Sequence, residues 1–498
     1  MIRMKDIKIL KLKSKPKWIL SLMLAFLVLS ACSDSFFNEV PSDRIIAEQH
    51  YNSMMEANIS ALVPLAILRD ILPQIVFASD LRSDMTHITE NADANWRNIY
   101  YHNNSAPNPH LDPSSLYKII VNANESLMYI DSIANKDKEM TEVYVNIFKG
   151  NLIGMRSWAY FMLVQLYGEA AYIPDNLPEL PEQGFTYLRR EAMLDTLVNH
   201  LLPYLDIDYI DVGIISMYNK ALIGEVYLEM QDYVNAVTYL RMAIEGFENT
   251  VQIFKVTSSY GRDNWKNIFI NSINNTTEVM VAVPFTYNQK QPNPIETWYN
   301  YDFDYIAKPT DYIVGLFSNQ MHKTKKLGDQ SRGIGISVDS INGNYFVNKY
   351  NLELNIKFSS DLIIYRAADI HLLLAEALNR TGEFDIATNI LNEGHQKYRN
   401  WNSNVGIRGR IFLENRTVPA DLEGDSRMLF IEDLIVEERA LELAFEGKRW
   451  TDLMRLARRR GSAYLADRVA AKYSDPSIAN SVREKLMNEE NWYIPFQK

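Results

Sequence analysis

The side chains that could perform catalysis fall into no catalytic pattern in this sequence. No G-x-S-x-G nucleophile elbow, H-E-x-x-H pair or phosphate-binding loop occurs, and the eight histidines do not recur at helical spacing. Carboxylate pairs such as Asp80 and Asp84 could serve glycoside hydrolysis, but 62 acidic residues make such pairs inevitable. We therefore predict a protein that is not an enzyme and that has no cofactor and no metal site.

The single cysteine offers a different chemistry. Cys32 follows an apolar run, 18–31, which is preceded by seven basic side chains and one acid, as in a secretory signal. This run is shorter than the roughly 20 residues of a permanent span. Leu29-Ser30-Ala31-Cys32 resembles the bacterial lipobox, which implies that the thiol is acylated and the chain cleaved before Cys32. We predict a signal peptide at 1–31 and a lipidated tether at 32–45.

Charge limits the partners of the mature chain. Removal of residues 1–31 takes away seven basic side chains and one acidic side chain, which leaves a net charge near −17. Such an acidic protein is a poor partner for nucleic acid and does not adsorb readily to anionic lipids. If the chain sits at a membrane, a covalent anchor must hold it there, and its lone cysteine leaves it without a disulfide.

Hydrophobic periodicity predicts a mainly helical domain over 46–498. Apolar residues recur at three- and four-residue spacing in 48–172 and 188–247, and prolines between them predict a loop. Alternating valines in 278–287 predict a short strand, and 345–350 a second. We expect helix to resume at Asp361, and a last strong helix at 430–445.

Two predicted hairpins repeat the pattern of tetratricopeptide (TPR) units. In the hairpin near 218–247 the matching residues are Ile223, Gly224, Tyr227, Ala236, Leu240 and Ala243. In the hairpin near 367–396 they are Leu374, Ala375, Leu378, Ala387, Leu391 and Gly394. Small residues let paired helices approach closely. Because the copies begin 151 residues apart, we expect them inside one irregular domain rather than in a continuous solenoid.

The segment 438–453 carries the strongest family resemblance. Its sequence, ERALELAFEGKRWTDL, resembles the E-R-x-x-E-L-a-F-E-G-x-R-W-x-D-L signature of the SusD/RagB family. Further similarity lies in 365–378, in 155–168 and, loosely, in Trp492-Tyr493-Ile494-Pro495. On a helix Arg439, Glu442 and Glu446 share a face, so we interpret the signature as a structural charge lattice that Gly447 ends.

The resemblance implies a mainly α fold: an irregular helical domain around TPR-like helix pairs, with a few short strands and long binding loops. It also implies an outer-membrane lipoprotein that captures glycan and delivers it to a SusC-type TonB-dependent transporter. In that family an acidic residue after the cysteine accompanies display at the cell surface, and Asp34 supplies one here. We therefore expect the protein to face the cell exterior.

Two loops carry the mixture of aromatic and planar polar groups that suits sugar rings. The predicted glycan-binding residues are Asp80, Arg82, Trp96, Tyr101, Asn103, Trp298, Tyr299 and Tyr301. Other readings stay open. A member of the same family that binds peptides would show an acidic or mixed cleft, a TPR-type scaffold would recruit a protein without a small ligand, and a glycosidase would turn its substrate over.

Overall fold

The helices form most of the part of the chain that the computed structural model describes. That part comprises residues 51–103, 105–175, 181–206, 217–245, 262–270, 272, 278–286, 291–350, 359–394 and 406–498. The signal peptide, Cys32 and the tether lie outside the described residues. Residues Ser53–Lys498 form one unit. The predicted mainly α-helical class is confirmed.

Sixteen α-helices occur within the described residues. They are α1 Met54–Arg82, α2 Ala94–Tyr100, α3 Ser114–Lys136, α4 Glu142–Tyr167, α5 Arg190–Leu201, α6 Asn219–Glu229, α7 Tyr233–Glu245, α8 Arg262–Ile270, α9 Pro294–Tyr299, α10 Asp311–Ser318, α11 Ala367–Arg380, α12 Phe384–Leu391, α13 Gly424–Glu442, α14 Arg449–Arg460, α15 Ala463–Ala470 and α16 Pro476–Leu486.

In the described ranges the strands make four antiparallel pairs, each of two strands. They are β1 Thr86–Ile88, β2 Glu169–Ala171, β3 Tyr187–Arg189, β4 Val279–Val283, β5 Ala307–Pro309, β6 Val338–Ile341, β7 Asn344–Val347 and β8 Leu362–Arg366. The pairs are β1 with β5, β2 with β3, β4 with β8, and β6 with β7. The strands predicted in 278–287 and 345–350 correspond to β4 and β7.

Helix α1 opens the fold with a reciprocal cap. The Ser53 hydroxyl accepts from the backbone N–H of Glu56, and the Glu56 carboxylate accepts from that of Ser53 at 2.9 Å. Among the described helices α1 alone is long and apolar enough to cross a membrane, but 61% of its most apolar window is buried inside the protein. Its side chains supply core between α3 and the C-terminal helices.

The two TPR-like hairpins are neighbours in space. Helices α6 and α7 form the first and α11 and α12 the second, and α7 packs directly on α11. The crossing in the first hairpin depends on Gly224, since a Cβ there would lie 2.8 Å from the Leu240 side chain. The long intervening segment is therefore an insertion between stacked hairpins.

Several predicted boundaries were wrong. The apolar stretch after Asp361 forms strand β8, and helix starts only at Ala367, because this stretch pairs with β4 as a buried strand. Helix α13 ends at Glu442 rather than at Gly447, with Phe445 and Gly447 both at positive φ in the turn that follows. Three further helices then follow, so the helix at 430–445 is not the last.

The charged signature residues are buried in ion pairs, which supports their structural interpretation. Glu442 accepts from Arg332 at 2.6 Å, from Arg366 at 2.7 Å and from Arg410. Burial by itself raises the pKa of Glu442, but the three guanidinium groups outweigh it and hold the pKa below its usual value. On the same helix, Glu438 accepts from Arg332 and Arg408 at 2.9 and 2.6 Å.

The same segment is tied to the TPR-like helices and to α1. Arg439 bonds Asp369 of α11 at 2.9 Å and Asp452 of α14 at 2.8 Å. Further along the chain, Arg449 donates two hydrogen bonds, of 2.8 and 2.7 Å, to the carboxylate of Asp84, just after α1. Removal of one member of a buried ion pair leaves the other charge buried without a partner, which is costly. These contacts therefore fix the relative positions of segments that are distant in the sequence.

We predict that Gly224→Ala lowers the free energy of unfolding by about 1–3 kcal/mol, because the added methyl overlaps Leu240. Gly315→Ala in α10 is the matched control. Its nearest neighbour would be Asn319 Nδ2 at 4.0 Å, so the change should be neutral or stabilise by up to about 1 kcal/mol. Urea unfolding followed by circular dichroism measures both, and equal midpoints for the two variants would contradict the prediction.

A second prediction concerns Glu442. Glu442→Gln should destabilise by about 3–5 kcal/mol at neutral pH, because three buried guanidinium groups lose their shared carboxylate. The lowered pKa of Glu442 means that its contribution is complete above the pKa of an unfolded glutamate and declines as the pH falls, so the difference from the native protein should narrow in acid. Glu437→Gln, which breaks only the part-exposed pair with Arg416, should cost under about 1 kcal/mol.

Candidate functional site

A folded-back loop after α9 forms the centre of the candidate site. Asn293 caps α9 by accepting from the backbone N–H of Ile295 at 3.0 Å. Beyond the helix, the backbone N–H of Tyr305 donates to the carbonyl of Thr297 at 3.1 Å, and that of Ile306 to the carbonyl of Trp298 at 2.7 Å. The loop therefore returns over its own helix and holds its aromatic residues close together.

These rings form what we call the aromatic surface: Trp298, Tyr301, Phe303, Tyr305 and Tyr345. The rings of Tyr301 and Tyr305 meet edge to face at 5.1 Å between centroids. The Tyr305 hydroxyl donates to the Tyr345 carbonyl at 2.7 Å, which joins the loop to the β6–β7 hairpin. Phe303 is 41% exposed and Tyr345 37% exposed, so a ligand in solvent can reach them.

A second layer of rings supports the aromatic surface. Trp298 packs at 5.0 Å on Phe77 and at 5.6 Å on Trp96. The imidazole of His110 lies flat on Trp96 at 4.2 Å, and its Nε2 lies 2.7 Å from the Asp93 carboxylate. Thus α1 and α2 fix the orientation of Trp298 from below, and Asp93 and His110 add polar groups at the edge.

Polar groups border the exposed rings. The Asp304 carboxylate accepts from the Thr297 hydroxyl at 2.7 Å, and the Asp304 carbonyl accepts from the Asn91 amide at 2.9 Å. Asp302 and Asp304 are both exposed. Exposed carboxylates beside ring faces are the combination that binds sugar hydroxyls while the rings contact C–H groups.

The prediction of direct ligand contact needs correction for four residues. Their exposed fractions are 0% for Asp80, 1% for Arg82, 2% for Trp96 and 1% for Tyr299. The reason is that all four lie in helices rather than in the expected loops: the first two in α1, then one each in α2 and α9. Three of them, Asp80, Trp96 and Tyr299, lie in the layer beneath the aromatic surface, whereas Arg82 does not.

Asp80 and Tyr299 form one of these supports. The Tyr299 hydroxyl donates to Asp80 Oδ2 at 2.8 Å. Burial raises the pKa of Asp80 to about 7, although the bond from Tyr299 and the charge of Lys349 act in the opposite direction. Arg82 lies elsewhere in the core: it donates to the Trp492 carbonyl at 2.5 Å and covers the Trp450 ring at 4.2 Å, and burial lowers its pKa to about 9.

Tyr101 and Asn103 face a different part of the molecule from the aromatic surface. The Tyr101 ring stacks on Tyr473 at 6.1 Å, and Asn103 Oδ1 accepts from Lys485 of α16 at 2.7 Å. Contact of these two, and of Trp298 and Tyr301, with a ligand stays a prediction. The sequence did not point to His110 or Tyr345 as site residues. Their one available signal was local composition, since His110 follows Pro107-Asn108-Pro109 and Tyr345 follows Asn342-Gly343-Asn344.

No group of three or more His, Cys, Asp or Glu in the described part of the chain is arranged to hold a metal ion.

Solved structures define the class of protein to which this fold belongs. A SusD superfamily protein from Bacteroides vulgatus matches with a TM-score of 0.68 at 17% identity, over 89% of this chain and 96% of that one. A SusD superfamily protein from Bacteroides thetaiotaomicron gives 0.64 at 17% identity, over 90% and 96%. A laminarin-binding SusD-like protein gives 0.59 at 17% identity, over 86% and 96%. The fold is that of SusD-like proteins.

Sequence comparison assigns the family itself. A family described as the SusD family matches residues 285–498, and one described as starch-binding and associating with the outer membrane matches residues 72–240. A SusD-like protein of Formosa agariphila is 21% identical over 490 residues, which covers 87% of this chain and 90% of that protein. The chain belongs to the SusD/RagB family.

We predict that Asp80→Asn alters the pH dependence of stability. Because the folded-state pKa of Asp80 is raised to about 7, its contribution to the unfolding free energy is complete in acid and is lost as the pH rises from about 4 to 7. The loss amounts to roughly 4 kcal/mol for a shift of about three units. Asp80→Asn should therefore gain stability relative to the native protein over this range, measured by urea unfolding at a series of pH values.

Tyr299→Phe serves as the companion variant. The hydrogen bond from the Tyr299 hydroxyl lowers the pKa of Asp80, so its removal should raise that pKa further. The loss of stability with rising pH should then continue to a higher pH than in the native protein. Parallel pH profiles for the native protein and Asp80→Asn would rule out this role for Asp80.

Proposed function

We propose that this protein is a glycan-binding lipoprotein of the outer membrane that captures an oligosaccharide or polysaccharide and delivers it to a SusC-type TonB-dependent transporter. The observation that carries the proposal is the aromatic surface, where exposed rings on a braced loop lie beside exposed carboxylates.

The chemistry of the surface favours carbohydrate. Sugar rings present apolar C–H faces that pack on Trp298, Tyr301 and Phe303, while their hydroxyls bond planar polar groups such as Asp302 and Asp304. Because the loop is tied to α9 and to Tyr345, little conformational freedom is lost on binding, which favours affinity.

Two comparisons support the same ligand class and place. One structural neighbour is a laminarin-binding SusD-like protein, and the family matching residues 72–240 is described as starch-binding and associating with the outer membrane. Lipid on Cys32 is the proposed means of attachment, with the body facing the cell exterior. A transporter partner follows from the family, and we propose capture and hand-over without turnover of the ligand.

Peptide binding is the second candidate, favoured by a separate cleft of about 580 Å³ near the C-terminal segment. Its lining is acidic and mixed, with Glu169, Glu191, Glu489 and Glu490 beside Arg189 and Tyr493. A peptide with a basic side chain and a free backbone would suit such a cleft. This cleft is separate from the aromatic surface, so the two candidates predict binding at different places.

Trp298→Ala should weaken glycan binding about tenfold or more, because the largest ring of the aromatic surface is lost. Binding to a panel of laminarin, starch and a protein digest is measured by isothermal titration calorimetry. Phe412→Ala is the matched control: Phe412 is a 52% exposed aromatic outside the aromatic surface, so its loss should leave affinity unchanged.

The same panel discriminates between the proposals. Equal affinity in native protein and Trp298→Ala would reject the aromatic surface as the site. Binding of peptides alone, weakened by Tyr493→Ala but not by Trp298→Ala, would favour the C-terminal cleft. Release of smaller saccharides during incubation would reject a role limited to binding.

A further inference from the structure

A cavity of about 420 Å³ lies apart from the aromatic surface, between the end of α1, the start of α10, and α15. We call it the Lys472 pocket. Its charged or titratable lining residues are Asp84, His87, Asp311, Tyr312, Asp467, Arg468 and Lys472. It is lined mostly by ionisable groups.

Lys472 is the unusual member of this lining. The side chain is buried, and its Nζ donates to the carbonyls of Leu81 and Ser83, both at 2.6 Å, where α1 ends. It also lies 4.4 Å from the centre of the Tyr100 ring. Among the described residues no carboxylate lies within ion-pair distance of Nζ. Within the described part of the chain, the ammonium is therefore held directly by two carbonyl groups and a ring face rather than by a carboxylate.

Two of the three carboxylates that line the pocket are already engaged, and the third, Asp311, lies exposed at the start of α10. Asp84 is bound by two nitrogens of Arg449, and Asp467 by Arg483 at 2.6 Å. Arg468 lies 3.6 Å above the Tyr464 ring and 3.6 Å from Asp433. Among the described groups of the lining, Lys472 is thus the buried charge that no carboxylate contacts directly, while Arg468 is part-exposed and Asp311 exposed.

We infer that the Lys472 pocket binds a sugar unit that carries an anionic group, a carboxylate or a sulfate. The anionic oxygens would lie against Lys472 and Arg468, while the Tyr312 hydroxyl and the outer carboxylates would bond the hydroxyls of the ring. This inference deepens the proposed function and rests on it for the carbohydrate class of the ligand.

The β1–β5 ribbon connects this pocket with the aromatic surface. Thr86 pairs with Pro309 next to the pocket, and the backbone N–H of Thr89 bonds the carbonyl of Ile306 next to the aromatic loop. Three residues of extended chain span about 10 Å. That separation is within the length of a short oligosaccharide.

Binding of an anion here is coupled to protonation of Lys472. Burial lowers the pKa of Lys472 to about 7, and the charge of Asp84 acts in the opposite direction. Burial, with Lys472 and Lys308, also lowers the pKa of His87 to about 4, so its ring stays neutral near pH 7. The other titratable or charged groups around Lys472 are Arg82, Tyr100, Tyr101, His102, Asp311, Tyr312, Arg449, Asp467, Arg468, Tyr473 and Lys485.

The test is calorimetric titration of the native protein with glucuronate and, as the matched neutral sugar, with glucose. Near pH 6 glucuronate should bind about tenfold or more tightly than glucose, and this preference should shrink near pH 8 as Lys472 loses its proton. Titration in buffers of different ionisation enthalpy should show proton uptake with glucuronate only. Equal affinities for the two sugars near pH 6 would overturn the inference.

Variants locate the effect. Lys472→Met should abolish the preference for glucuronate over glucose together with its pH dependence. Arg468→Gln should reduce the same preference while its melting temperature stays equal to that of the native protein. Arg427→Gln, which changes a part-exposed arginine on α13, should leave the preference unaltered. A preference that persists in both pocket variants would place it elsewhere. Inorganic sulfate that binds as tightly as glucuronate would show that the sugar ring is not recognised, which also contradicts the inference.

Failure of this inference and failure of the proposed function give different results. Trp298→Ala should weaken neutral glycans and leave the preference for glucuronate over glucose intact. Loss of that preference in Trp298→Ala would mean that the Lys472 pocket is not an independent site.

Discussion

The carboxylate of Glu442, shared by the guanidinium groups of Arg332, Arg366 and Arg410, is the constraint on which the rest of the structure depends. Each of these charges is fully buried, so each would be costly without its partners. The arginines come from three separate parts of the chain. An arrangement that satisfies them all admits few alternatives, and it sets the position of α13 against β8 and the inserted segment.

This constraint extends to the candidate site through a few contacts. Glu446 bonds Lys349 at 2.5 Å, and Gly447 then packs so closely on α1 that a Cβ would lie 2.8 Å from the Val76 backbone. The Gly447 carbonyl accepts from the Ser79 hydroxyl at 2.6 Å, one residue before the Asp80 that Tyr299 contacts. The helix that carries Trp298 therefore takes its position from the same buried charges.

Local patterns predicted the scaffold well and the site only in part. The TPR-like hairpins could be recognised because small and large residues alternate within each hairpin, as Gly224 against Leu240 shows. Helices α2 and α9 have seven and six residues, too few for periodicity to show which face is buried, so Trp96 and Tyr299 were expected in loops. The ion pairs could not be predicted, because Arg366 and Glu442 are 76 residues apart and their pairing depends on the tertiary fold.

The stacking of two hairpins separated by a long insertion has a consequence for how such proteins diversify. The segment between α7 and α11 carries α9, the aromatic loop and the β6–β7 hairpin. The helices on either side of this insertion need only keep the small residues at their crossings and their buried charges. Ligand preference can then drift by substitution in the insertion while the frame persists. Two proteins that diverge in this way would share a fold but few identical residues, as this chain and the Bacteroides vulgatus protein do, with a TM-score of 0.68 at 17% identity.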